Sequence, residues 1–73
     1  MTQKEPAAAA QFADRLRRLR EGQGLTQRAL ADATGIHATA LSRYETGIMR
    51  PSLRNLRALS TALGCSIDQL AAE

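Results

Sequence analysis

The chain has 73 residues, 44% of them apolar, and carries ten Lys and Arg against seven Asp and Glu for a formal charge of +3. A chain this short makes one domain and buries only about 60% of its unfolded surface, which argues against a large enclosed active site and favours a stabilising partner such as a second copy of itself. One cysteine (Cys65) and one histidine (His37) exclude an internal disulfide and a four-ligand zinc site, and no apolar run is long enough to span a membrane or to form a signal-peptide core, so the expected compartment is the cytoplasm.

Helix signals recur five times along the chain and no strand pattern does. Met1 to Ala10 reads as a frayed lead-in, with residues 1–9 as a flexible segment and residues 10–73 as the folded domain. The first helix begins at Ala7 or Ala10 and runs to Glu21, because Phe12, Leu16 and Leu19 share one helical face. Arg15, Arg17 and Arg18 point elsewhere and read equally as a solvated face. Gly22 and Gly24 end this helix. Thr26 caps a second helix reaching Ala33, with Leu30 and Ala31 turned inward. Thr34-Gly35-Ile36 forms a turn, and a third helix runs from Ala38 to Glu45, closed by Gly47. Pro51 forbids a helix through the following loop. Ile48 and Met49, in that loop, serve either as anchors or as exposed contact residues. Ser52 caps a fourth helix with Leu53, Leu56, Leu59 and Leu63 at helical spacing, and Gly64 ends it. Ser66 caps a short fifth helix with Ile67 and Leu70. Five short helices with brief connections predict a compact all-α bundle.

Charge is spread unevenly. Residues 1–57 hold all ten cations and five of the seven anions, whereas residues 58–73 hold only Asp68 and Glu73, and nine of the ten cations are Arg. Arg suits bidentate contacts with phosphate and with guanine edges, so a basic body with a near-neutral tail suggests a polyanion at one end and a protein contact at the other. The stretch from Gln27 to Tyr44 adds geometry. Ala31 is small where two helices must cross closely, Gly35 tolerates the left-handed turn, and Leu30, Ile36, Leu41 and Tyr44 fill the wedge between them. This is a helix-turn-helix arrangement, which sets its second helix in the DNA major groove.

From Phe12 to Leu70 the sequence resembles the Xre/Cro group of phage-repressor-like helix-turn-helix proteins. The resemblance rests on Leu16-x-x-Leu19-Arg20, Gly24-Leu25-Thr26-Gln27-x-x-Leu30-Ala31, Gly35-Ile36 and Leu41-Ser42-x-Tyr44-Glu45-x-Gly47. It continues through Pro51-Ser52-Leu53 and Leu59-x-x-Ala62-Leu63-Gly64-x-Ser66-Ile67-Asp68-x-Leu70. It implies a five-helix, lambda-repressor-like domain that binds operator DNA, usually as a symmetric dimer, with the third helix as recognition helix. On that basis Ala38, Thr39, Ser42 and Arg43 face the groove, and Arg43 would contact guanine O6 and N7 in bidentate fashion. Gln27 would meet a phosphate or the outermost base, aided with Thr26 by the open N–H groups of the second helix. Thr46 and Arg50 are further phosphate candidates. The resemblance also implies that Arg20 and Glu45 form a partly buried structural ion pair.

Two departures stand out. His37 occupies the N-cap of the recognition helix, where Ser, Thr or Asp is expected; it reads as a neutral surface residue or as a phosphate contact. Ser52 replaces a cation that some relatives send into the minor groove. Arg43 has a second reading as a partner of Glu45, Arg54 and Arg57 read as rim charges, Tyr44 as a core wedge, and Cys65 as a small buried hydrophobe.

The function expected from these features is sequence-specific transcriptional regulation, as a repressor or autoregulator, by a homodimer on a palindromic operator in double-stranded DNA. Ile67, Leu70 and Ala71 are the expected dimer surface, being apolar residues in the least charged part of the chain. The alternative is an antitoxin or other interaction module whose main partner is a protein. No nucleophile–base pair, metal cluster, cofactor motif or effector pocket is evident, so an enzyme is not expected. Scarce aromatics disfavour RNA.

Overall fold

The computed structural model describes residues 8–71. It consists of α1 (Ala8–Gly22), α2 (Gln27–Thr34), α3 (Ala38–Thr46), α4 (Leu53–Leu63) and α5 (Ile67–Ala71), with no strand among the described residues. The all-α architecture and the five elements match the expectation. α1 starts at Ala8, so residues 8 and 9 are helical although the sequence assigned them to the flexible segment; residues 1–7 lie outside the described residues.

Local chemistry explains where each helix begins. The Thr26 hydroxyl accepts from the Ala29 N–H at 3.0 Å, and the Ser52 hydroxyl from the Asn55 N–H at 3.2 Å. Each satisfies one of the donors that a first helical turn leaves unpaired. α5, only five residues long, is opened by a reciprocal capping box. The Ser66 hydroxyl accepts from the Gln69 N–H at 2.9 Å, and Gln69 Oε1 accepts from the Ser66 N–H at 2.8 Å. α3 lacks this help: His37 has the extended backbone of an N-cap but its side chain makes no capping hydrogen bond. His37→Ser is therefore expected to stabilise the fold by about 1 kcal/mol, measured by chemical denaturation of the free protein; an unchanged midpoint would show that water already satisfies those N–H groups.

At the helix ends, one assignment shifts. Gly22 remains helical, and the chain leaves α1 at Gly24, which alone of the two has a positive φ, +72°. Gly35 closes α2 at φ +74°, and an added Cβ there would meet nothing within 4 Å. The turn thus needs glycine for its left-handed backbone, not for close packing.

Every helix contributes to one core: Phe12 and Leu16 from α1, Leu30 and Ala31 from α2, Leu41 and Tyr44 from α3, Leu59 and Leu63 from α4, and Leu70 from α5, with Ile36 added by the turn. α1 packs mainly on α3, α2 bridges α3 and α4, and α5 closes against α4 and α1. Two expectations are corrected by this packing. Leu53 does not join the α4 stripe; it is the helix's first residue and is 57% exposed, while Leu56, Leu59 and Leu63 in the later turns meet the core. Leu70 has no exposed surface, so it cannot form a dimer contact. The short α5 needs one deep anchor to stay on the bundle, and Leu70 is that anchor. Ile67 and Ala71 are half-buried beside it. Cys65 packs half-buried against the core, and desolvation pushes its thiol pKa up, which suits a small apolar residue more than a nucleophile.

Candidate nucleic-acid interface

The site is built around a buried ion pair. Arg20 of α1 donates from Nε to Glu45 Oε2 at 2.7 Å and from Nη2 to Glu45 Oε1 at 3.0 Å, while its Nη1 donates to the Leu25 carbonyl at 2.7 Å. The Glu45 side chain is 3% exposed and that of Arg20 is 11% exposed. The hydrogen bonds to Glu45 raise the Arg20 pKa further above its ordinary value, against the opposing effect of burial. Three charge-assisted bonds from one guanidinium thus join α1, the α1–α2 loop and the end of α3. Arg17 adds a fourth tie, donating to the Glu45 carbonyl at 3.3 Å and to Asp14 at 2.7 Å. Arg15 donates to the Leu70 carbonyl at 3.4 Å. These two arginines are half-buried and bind helix to helix; only Arg18 of the trio is fully exposed.

With Glu45 engaged in this way, Arg43 does not pair with it. Among the described residues Arg43 makes no ion pair and no side-chain hydrogen bond, and it is exposed on α3 together with Ala38 and Thr39, with Ser42 half-exposed. Leu41, Tyr44 and Glu45, on the other side of α3, are buried. The helix is therefore divided into a face held by the bundle and a face with no structural obligation. Tyr44 is a wedge in the core, as expected, and its hydroxyl accepts from Asn55 Nδ2 of α4 at 2.9 Å.

The residues expected to contact phosphate differ in their freedom. Thr26 is exposed at the N-terminus of α2; its oxygen caps the helix and leaves the hydroxyl proton to donate. Gln27 is half-buried, and its Nε2 donates to Glu45 Oε1 at 3.0 Å. His37 is exposed at the N-terminus of α3. The Thr46 hydroxyl donates back to the Arg43 carbonyl at 3.2 Å. Arg50 lies with its guanidinium carbon 5.7 Å from the centre of the Phe12 ring, which ties the α3–α4 loop to α1. Ile48 and Met49 in that loop are exposed, at 73% and 41%, so they do not anchor it to the core.

The Gln27–Glu45 bond escaped sequence reasoning, because nothing in the spacing of residues 18 apart signals a hydrogen bond. Ser66 reads as a cap from the sequence, but its partner Gln69 was missed, although Ser-x-x-Gln ahead of an apolar residue is the local signal of a capping box. Among the described residues no group of three His, Cys, Asp or Glu side chains converges to hold a metal, and no helix is long and apolar enough to cross a membrane.

Two short helices crossing through a glycine turn, with the second held from behind and open in front, define a helix-turn-helix domain. The helix-turn-helix family profile matches residues 16–70, and the chain belongs to this helix-turn-helix family. It is 39% identical over 59 residues to the SPbeta prophage-derived HTH-type regulator YonR of Bacillus subtilis, covering 81% of this chain and 55% of that protein. It is 35% identical over 60 residues to the HTH-type transcriptional activator BcrR of Enterococcus faecalis, covering 82% of this chain and 29% of BcrR. The chain thus spans about half, or less, of the length of these relatives. Among solved structures it resembles the restriction-modification controller protein C.AhdI of Aeromonas hydrophila, with a TM-score of 0.82 and 35% identity over 85% of this chain and 94% of that one. It also resembles the P22 c2 repressor bound to a synthetic operator, with a TM-score of 0.79 and 36% identity over 84% of this chain and 92% of the repressor.

Proposed function

We propose that the chain binds double-stranded DNA in a sequence-specific way, as a homodimer on a palindromic operator, and thereby represses transcription. The observation that carries this reading is the divided surface of α3: Ala38, Thr39, Ser42 and Arg43 present an open face while Leu41, Tyr44 and Glu45 hold the helix from behind. Arg43 reads a guanine through O6 and N7, and Thr39 and Ser42 bond neighbouring base edges. Thr26, Gln27, His37, Thr46 and Arg50 fix the register on the phosphates, which carry affinity without sequence information. The likeness to a repressor crystallised on operator DNA supports this placement. Pairing through the α5 face that carries Ile67 and Ala71 would set two recognition helices about one DNA turn apart.

The experiment is selection from a random duplex library at physiological salt. Recovery of an inverted repeat with half-sites near 10 bp apart is the expected result. No enrichment over the input by folded protein would favour the protein-interaction module instead. Within the recovered site, Arg43→Ala is expected to cost about 1–3 kcal/mol of discrimination, confined to one base pair per half-site. A loss spread evenly over all sequences would make Arg43 a phosphate contact.

A further inference from the structure

The Arg20–Glu45 pair reads at first as internal fastening, yet one of its atoms has a second donor from outside the pair. Glu45 Oε1 accepts from Arg20 Nη2 and also from Gln27 Nε2, both at 3.0 Å. Gln27 is the first residue of α2, immediately after the Thr26 cap, where the opening N–H groups of the helix and its dipole favour an anion. A carboxylate only accepts hydrogen bonds, so it selects one of the two orientations of the Gln27 amide. The nitrogen faces Glu45, one of its hydrogens is consumed there, and the second remains. Arg20 makes the arrangement tolerable to an approaching phosphate: its charge cancels that of Glu45, which would otherwise repel an anion at the mouth of α2.

We infer that Glu45 is a positioning residue for DNA binding, acting through Gln27: it holds the Gln27 amide with a fixed N–H presented at the N-terminus of α2, where a backbone phosphate docks. A side chain buried in the bundle thus sets the conformation of a contact residue 18 positions away in sequence. An unrestrained glutamine would lose rotamer freedom on binding, and prior fixation removes part of that cost. The same carboxylate belongs to α3, so the phosphate clamp and the reading helix are held in one register.

This inference rests on the proposed DNA-binding function, and the test separates the two. Wild-type protein is first titrated against its selected duplex; absence of binding overturns the functional reading before any variant is made. Three variants follow. Gln27→Met removes the amide at nearly constant shape. Glu45→Asp keeps the charge but withdraws the carboxylate by one methylene. The third variant combines them. Circular dichroism selects a temperature at which every variant is folded. Gln27→Met is expected to weaken binding about tenfold, the scale of one hydrogen bond to a charged group. Glu45→Asp should weaken it by a comparable factor, and the double variant should be no weaker than Gln27→Met alone. If the two losses multiply, or if Gln27→Met changes nothing, the inference is overturned. Should Glu45→Asp not fold, Arg20→Met with Glu45→Met replaces the pair by apolar residues of similar volume, a change that folds tolerate. The same cycle then applies: loss with Gln27 present and none with Met at that position supports positioning, and equal loss in both backgrounds refutes it.

Discussion

Glu45→Ala is expected to destabilise the fold by about 3–5 kcal/mol, because it strands the Arg20 guanidinium inside the bundle without its carboxylate. Arg20→Ala should cost at least as much, since the carboxylate left behind is 3% exposed and would retain only the Gln27 amide as a side-chain partner. For a domain of this size each kcal/mol lowers Tm by roughly 4–8 °C, and total stability is only about 5–15 kcal/mol. Either variant should therefore be largely unfolded near body temperature. The contrast is Arg20→Met with Glu45→Met, expected to retain most of the stability, because the pair's own attraction mainly offsets the desolvation of its members. Urea denaturation of all three decides the matter. A loss below about 1 kcal/mol for Glu45→Ala would mean that the pair behaves as a solvent-screened surface contact.

Leu70→Ala should cost about 2–5 kcal/mol through the cavity it leaves, and the loss should not depend on protein concentration. Leu70 is completely buried and belongs to the same cluster as Leu59 and Leu63 of α4 and Phe12 and Leu16 of α1. Were it a dimer contact, dilution would reveal the defect and high concentration would mask it. Thermal unfolding across a hundredfold range of concentration separates these outcomes. Because α5 has five residues and one fully buried side chain, its detachment should precede or accompany global unfolding in hydrogen exchange.

These two predictions mark the boundary between what was legible in the residues and what was not. The five helices, the Thr26 and Ser52 caps, the left-handed Gly35 and Gly47, and the inward positions of Phe12, Leu16, Leu30, Leu41 and Tyr44 all follow from local rules. Caps act over three residues and amphipathic faces over four, so a short window of sequence contains the whole cause. The Arg20–Glu45 pair was also legible, but only through the family resemblance; no local rule links residues 25 apart.

The misassignments share a cause. Leu53 and Leu70 are both leucines on short amphipathic helices, and both have a helical spacing to other apolar residues. One is 57% exposed and the other fully buried, because burial depends on where the helix ends relative to its neighbours. For Arg15 and Arg17 the sequence left a solvated face as one of two equal readings; the packing of α1 on α3 and α5 decides against it by bringing carbonyl groups of Glu45 and Leu70 within their reach.

By itself, the amino-acid sequence determined the class of fold, the order and caps of its helices, most of its core and the identity of its candidate reading helix, since each depends on short-range backbone and side-chain chemistry. Tertiary structure alone decided which arginines are tied down and which are open, that Leu70 belongs to the interior, and that the buried Glu45 carboxylate reaches Gln27 at the mouth of α2. Those outcomes depend on distances between helices remote in sequence, which are set only when the shared core closes.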